Sequence, residues 1–228
     1  MDKFLVAAIE GWNHDLYKRY SVSLAGEWGF VSSPDELENY LSENNPKYIF
    51  FPHWRWIVPS EIVNEYNCVC FHMTDLPYGR GGSPLQNLII RGHRETVLTA
   101  LKMDEGVDTG PIYFKEPLDL EGTAQEIYVR AAELTWSLIR KLVDENPVPK
   151  PQVGDPVLFK RRLPVESELP DLDSLEQLYD FIRMLDAPGY PNAFLETNKY
   201  RIVFTEASCS KKELSAKVII RLKEEDHG

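Results

Sequence analysis

Short apolar runs alternate with amphipathic stretches through the first two thirds of the chain, and that alternation predicts strands alternating with helices. Phe4 to Ile9 is a buried-strand run closed by Glu10-Gly11, and Trp28 to Ser32 is a second strand candidate. Ser33-Pro34-Asp35-Glu36 has the form of a capping box with proline at the first helical position. The helix it opens has Leu37, Tyr40 and Leu41 on its apolar face and stops at Asn45-Pro46. Tyr48 to Phe51 reads as a strand, Pro59 to Tyr66 as a helix, and Cys68 to Phe71 as the strand that delivers His72. Ser83 is placed to cap a helix running from Pro84 to Ile90, Thr96 to Met103 is a strand, and Ile112 to Phe114 pairs near it. A second capping box, Thr123-Ala-Gln-Glu126, opens the longest helix, with Ile127, Ala131, Leu134, Leu138 and Leu142 on one face and Asn146-Pro147 at its end. The expected architecture is α/β: a mostly parallel, doubly wound sheet with helices on both faces.

From Asn146 the pattern changes. Pro147, Pro149, Pro151, Pro156 and Pro164 mark an extended linker. Beyond it, Leu175, Leu178, Ile182 and Leu185 share a helix face, and Tyr200–Phe204 and Leu214–Leu222 alternate as antiparallel strands. The division expected is a catalytic domain over residues 1–146, a linker over 147–172 and a small α+β appendage over 173–228. An appendage of that size is too small to fold well alone, so it should dock on the main domain or on a second subunit in a homodimer.

Composition narrows the function classes. Among the 228 residues the net charge is −11, and the segment Lys150–Gly228 holds 12 basic and 14 acidic side chains. A nucleic-acid binder needs a positive face, so no nucleic-acid partner is expected, and Lys160-Arg161-Arg162 reads as a solvated turn. No apolar run approaches the length of a membrane span, and the start lacks a signal-peptide pattern, so a cytoplasmic protein without membrane contact is expected. Cys68, Cys70 and Cys209 lack disulfide spacing, and Cys68, Cys70 and His72 lie ~6.5 Å apart in steps of two along a strand, awkward for a single metal ion. No metal is expected. Neither a glycine fingerprint after the first strand nor a phosphate loop is present, so dinucleotide and triphosphate readings carry little weight.

The chemistry concentrates in two segments. His72-Met-Thr74-Asp-Leu76-Pro77-Tyr-Gly-Arg80-Gly81-Gly-Ser-Pro84 joins an apolar run to a glycine-rich loop, and Asp104-Glu-Gly106-Val-Asp108-Thr-Gly110 follows another apolar run. If both runs are strands of one sheet, one edge carries a histidine and a carboxylate, a minimal proton-transfer device. These two motifs, in this order and separation, resemble the folate-dependent formyltransferase family over roughly residues 48 to 142. The segment Phe181–Phe194 looks like the C-terminal region of its sugar-modifying members.

That resemblance implies a Rossmann-like sheet that binds N10-formyltetrahydrofolate and moves its formyl group to an amine. The amine loses a proton, the folate nitrogen gains one, and an oxyanion forms between. His72 matches the family histidine and Asp108 the family aspartate; the first would move the proton and the second would orient the imidazole. The family has an asparagine for the oxyanion two residues before the histidine, and this chain has Cys70 there, with Thr74 as one substitute donor. Trp56, Ile57 and Val58 resemble the pterin-contacting segment, Trp54 is a further aromatic candidate, and the loop from Asp104 through Gly106 would supply backbone contacts. Arg80 and Gly81 suit a phosphate or carboxylate of the second substrate, Arg80 having a structural alternative in fixing the glycine loop; Trp12 and His53 are further substrate candidates. The function expected is N-formylation of a nucleotide-linked amino sugar, for example a UDP- or dTDP-4-amino-4,6-dideoxy sugar. The alternatives are hydrolysis of formylfolate and an inactive module that binds folate or a nucleotide sugar.

Overall fold

In a computed structural model describing residues 1–223, the apolar runs become strands of one six-stranded sheet. In chain order the strands of this half are β1 (Lys3–Ala7), β2 (Glu27–Val31), β3 (Tyr48–Phe51), β4 (Cys68–His72), a separate short β5 (Tyr78–Gly81), β6 (Glu95–Lys102) and β7 (Ile112–Asp119). The sheet order is β2-β1-β3-β4-β6-β7. β1 pairs in parallel with β2 and β3, and β3 in parallel with β4, while β4 and β6 are antiparallel. The expected mostly parallel α/β fold stands.

Its helices are α1 (Trp12–Ser21), α2 (Pro34–Glu43), α3 (Ser60–Glu65), α4 (Pro84–Ile90) and α5 (Ala124–Glu145). β1 and β3 are buried on both faces, which is why they read as unbroken apolar runs. On one face Leu5, Ala7, Ile49 and Phe51 meet Leu37 of α2 and Val63 of α3. On the other, Phe4 and Phe50 stack against Trp28, and Trp28 lies 6.2 Å from Trp136 of α5.

The capping chemistry holds at two of three sites. Ser33 accepts the Glu36 amide at the start of α2, and Thr123 and Glu126 exchange side-chain and backbone bonds at the start of α5. Ser83 does not cap α4: its backbone is left-handed, and its hydroxyl instead accepts the Arg162 amide at 3.0 Å. In this half of the chain α1 and β5 were not expected. α1 opens at Gly11 with no side-chain cap, so no start signal marks it.

The chain divides into two compact units. The first holds Met1–Gly81, Thr96–Leu118 and Val129–Leu158; the second holds Gly82–Glu95, Asp119–Tyr128 and the chain from Phe159. The stretch expected as a linker contains β8 (Val157–Phe159), which pairs with β5, and a 3-10 turn at Pro164–Ser167. The second unit also holds α6 (Leu175–Arg183) and an antiparallel sheet of β9 (Ala193–Glu196), β10 (Tyr200–Cys209) and β11 (Leu214–Leu222), ordered β11-β10-β9. Arg183, 1% exposed, donates to Asp180 and to the carbonyls of Leu120 and Gly122, which ties α6 to the turn before α5. No helix among the described residues is long and apolar enough to cross a membrane.

Candidate active site

β4 and β6 run antiparallel with His72 opposite Thr99, so the last residue of β4 is held by a full sheet register. His72 is buried. Its Nε2 lies 2.7 Å from the Gly79 carbonyl, and since a carbonyl only accepts, Nε2 carries a proton and donates it. Nδ1 is thereby the nitrogen turned to Asp108, 3.6 Å from Oδ2. The two sequence motifs are brought together as a histidine–carboxylate pair.

Asp108 is itself held. Its backbone is left-handed, at φ 54°, a conformation Asp tolerates better than most residues. Its Oδ2 accepts the Gly81 amide at 2.9 Å. Gly110, two residues on, packs against backbone: a methyl group there would overlap the Lys102 carbonyl oxygen, so the loop closes on β6 only with glycine. Asp104 closes the near side, its Oδ1 accepting the Gly106 amide at 3.1 Å and the Thr109 hydroxyl at 2.5 Å.

The remaining candidates have definite places. Thr74 is fully buried and its hydroxyl turns to Gly79, at 3.4 Å, while Thr99 donates to the Thr74 carbonyl at 2.7 Å. Cys70 stands two residues before His72 on β4, and burial, followed by the Asp108 charge, pushes its thiol well above the usual range. Cys68 is pushed up to about 12, mainly by burial. Both are uncharged thiols at neutral pH. Trp54 meets Phe51 and Trp56 edge-on, and its buried Nε1 has no hydrogen-bond partner. Val58 belongs to the core, whereas Ile57 is 96% and Trp56 43% exposed. The segment from Trp54 to Val58 thus splits between packing and surface. Trp12, the first residue of α1, and His53, two residues past β3, do meet, with ring centroids 5.8 Å apart. Burial, and then Arg55, lower the His53 pKa to about 4, so this ring is neutral at pH 7. Arg80 is engaged with Gln152, at 3.1 and 2.7 Å.

Sequence reasoning missed Gln152 and the Gly79 carbonyl. Gln152 sits in the proline-rich stretch, where no periodicity marks it, and a backbone acceptor leaves no mark in composition. Among the described residues, no group of three or more His, Cys, Asp or Glu is gathered to hold a metal ion.

Comparison with known proteins shows the family and corrects the acceptor. Residues 28–142 match the Formyl transferase family model, and residues 164–221 match that of the methionyl-tRNA formyltransferase C-terminal domain. The methionyl-tRNA formyltransferase of Rickettsia africae is 36% identical over 138 residues, 58% of this chain and 46% of that protein. The chain therefore spans about half the length of the curated relatives it matches. A solved methionyl-tRNA formyltransferase from Clostridium thermocellum is 43% identical, with a TM-score of 0.94 over 98% of this chain and 100% of that one. A sugar N-formyltransferase from a Shewanella species is 17% identical, with a TM-score of 0.63 over 87% of this chain and 94% of that one, a likeness of fold alone.

The nucleotide-linked amino sugar is thus overturned as acceptor, and so is the exclusion of nucleic acid as a partner. The tail segment 181–194, read as sugar-type, lies within the methionyl-tRNA formyltransferase match. The charge argument failed because net charge is an average over the chain. The stretch from Leu76 to Arg94 has no acidic residue and neither has Pro156 to Val165, although the whole chain is at −11.

Proposed function

The chain belongs to the formyl transferase family, and from that premise we propose that it moves a formyl group from a folate carrier to the amine of methionyl-tRNA. The observation that carries the chemistry is the buried His72 ring, held between the Gly79 carbonyl and the Asp108 carboxylate. The acceptor rests on two relatives that are methionyl-tRNA formyltransferases by name, one matched over 98% of this chain and one over 58% of it.

N10-formyltetrahydrofolate, when bound, supplies the activated formyl group. The residues present fit such a molecule: the Trp54 Nε1 is a buried donor without a partner, and beside it Trp56 and Ile57 expose apolar surface suited to a flat heterocycle.

His72 is the proton carrier. With Nε2 fixed on Gly79, Nδ1 is the atom that takes the proton the neutral amine sheds as it bonds to the formyl carbon, while the folate nitrogen leaves and is protonated. Asp108 stands 3.6 Å from that atom and orients the ring, while the Gly81 amide holds the carboxylate in place. Cys70 is an uncharged thiol and a poor donor, so charge developing on the formyl oxygen is better met by backbone N–H groups or by the protonated His72.

The test is a formylation assay with purified protein, N10-formyltetrahydrofolate and tRNA charged with methionine or with other amino acids. Formyl-methionyl-tRNA as the main product is expected. Release of formate without any formylated aminoacyl-tRNA would refute the reading.

A further inference from the structure

We propose that Gln152 is a positioning residue for Asp108, acting as a bridge between β5 and the loop that carries the carboxylate. The inference rests on the formyl-transfer reading for its kinetic consequence but not for its geometry.

Gln152 uses its whole amide. Nε2 donates to the Asp108 carbonyl and to the Gly110 carbonyl, each at 2.8 Å. Oε1 accepts from both Nε and Nη2 of Arg80, at 3.1 and 2.7 Å. This orientation of the amide is forced: a guanidinium only donates, and a carbonyl only accepts. Arg80 is followed on β5 by Gly81, whose amide holds the Asp108 carboxylate at 2.9 Å. Asp108 is therefore gripped twice from the same strand, through its side chain by Gly81 and through its backbone by Arg80 and Gln152. A left-handed, non-glycine residue in a surface loop needs such support to keep one conformation.

Gln152 is itself anchored on both sides. Lys150 and Ile112 exchange two backbone hydrogen bonds, at 2.7 and 2.8 Å, which pins the preceding residues to β7. Val157 donates to the Pro77 carbonyl at 3.2 Å, which pins the following ones beside β5. The proline-rich run that carries Gln152 is thus a strap across the Asp108 loop rather than a spacer.

Gln152→Glu separates the two halves of the bridge. A carboxylate keeps, and strengthens, the partner of Arg80, but has no N–H for Asp108 and Gly110. Gln152→Met, similar in length with neither donor nor acceptor, is the second variant should the first fold poorly. Two readouts are measured on the full chain. Amide exchange is expected to speed up at Gly81 and across residues 104–110 and nowhere else, at an unchanged unfolding midpoint. Turnover is expected to fall by about 10²-fold with KM little altered, since ~1 Å of misplacement costs that much. In an Asp108→Ala background the same exchange is expected to lower turnover no further. Unchanged exchange at Gly81 and the loop would overturn the inference whether or not the wild type transfers formyl. A further drop in the Asp108→Ala background would overturn it as well, because Gln152 would then act by another route. A wild type inactive on methionyl-tRNA, together with the exchange effect in Gln152→Glu, would refute only the proposed reaction.

Discussion

Replacing Gly110 by alanine tests how tightly the catalytic loop is fitted. A methyl group there would sit well inside the 3.0 Å approach limit of the Lys102 carbonyl oxygen. That oxygen cannot retreat: Lys102 ends β6, and its amide is bonded to the Pro111 carbonyl at 2.8 Å. The overlap must be relieved by moving the Gly110 side, on the order of 1 Å, and Asp108 lies two residues away on the same loop. The pair to be disturbed is already at 3.6 Å, so any outward shift leaves the imidazole without its carboxylate. A displacement of this size lowers kcat by about 10²-fold. The stability cost is about 1–3 kcal/mol, the usual range for an added methyl in a packed site. Steady-state formylation kinetics and a thermal melt on the same preparation separate the two effects. A folded Gly110→Ala protein with wild-type turnover would refute the reasoning, because the methyl would then have found room without moving Asp108.

Other outcomes follow from the same structure. Cys70→Ala is expected to change turnover by less than about tenfold, the worth of one weak hydrogen bond, and in the wild type Cys70 should resist alkylation at pH 8 under native conditions, as followed by peptide mass. His53 has its pKa depressed from 6.5 to about 4, so its contribution to stability is complete above pH 6.5 and is lost as pH falls towards 4. His53→Asn, which tolerates the left-handed backbone there, should flatten that acid limb of the melting profile by about 3 kcal/mol. Arg183→Met leaves two carbonyls without their buried donor, while Asp180 keeps Arg94 at 2.8 Å, and should cost about 2–3 kcal/mol, a drop in Tm of several degrees in calorimetry.

Most of the fold was legible because parallel strands buried on both faces are written as continuous apolar runs, as in β1 and β3, and because Ser33 and Thr123 announce their helices chemically. α1 was not legible. It opens at a glycine, and its buried positions include Asn13 and Ser21 rather than an apolar stripe. β5 reads as loop because half of its four residues are glycine. The His72–Asp108 pair could be found from its two motifs, since each lies just beyond an apolar run. The residues that hold the pair could not, because Gln152 acts through backbone carbonyls that belong to no motif. The acceptor was misread for a different reason. Electrostatic steering depends on where the charges lie, and a total of −11 says nothing about acid-free stretches such as Leu76–Arg94.

The central claim is that His72 and Asp108 work as one proton-transfer pair on the amine of methionyl-tRNA. Single-turnover formylation of methionyl-tRNA by the wild type, His72→Ala, Asp108→Ala and the double variant tests it most directly. The account predicts a loss of ~10²–10⁴ in each single variant and little further loss in the double, as expected of two groups acting on one proton. Near-wild-type rates in either folded single variant, or losses that multiply in the double, would contradict it.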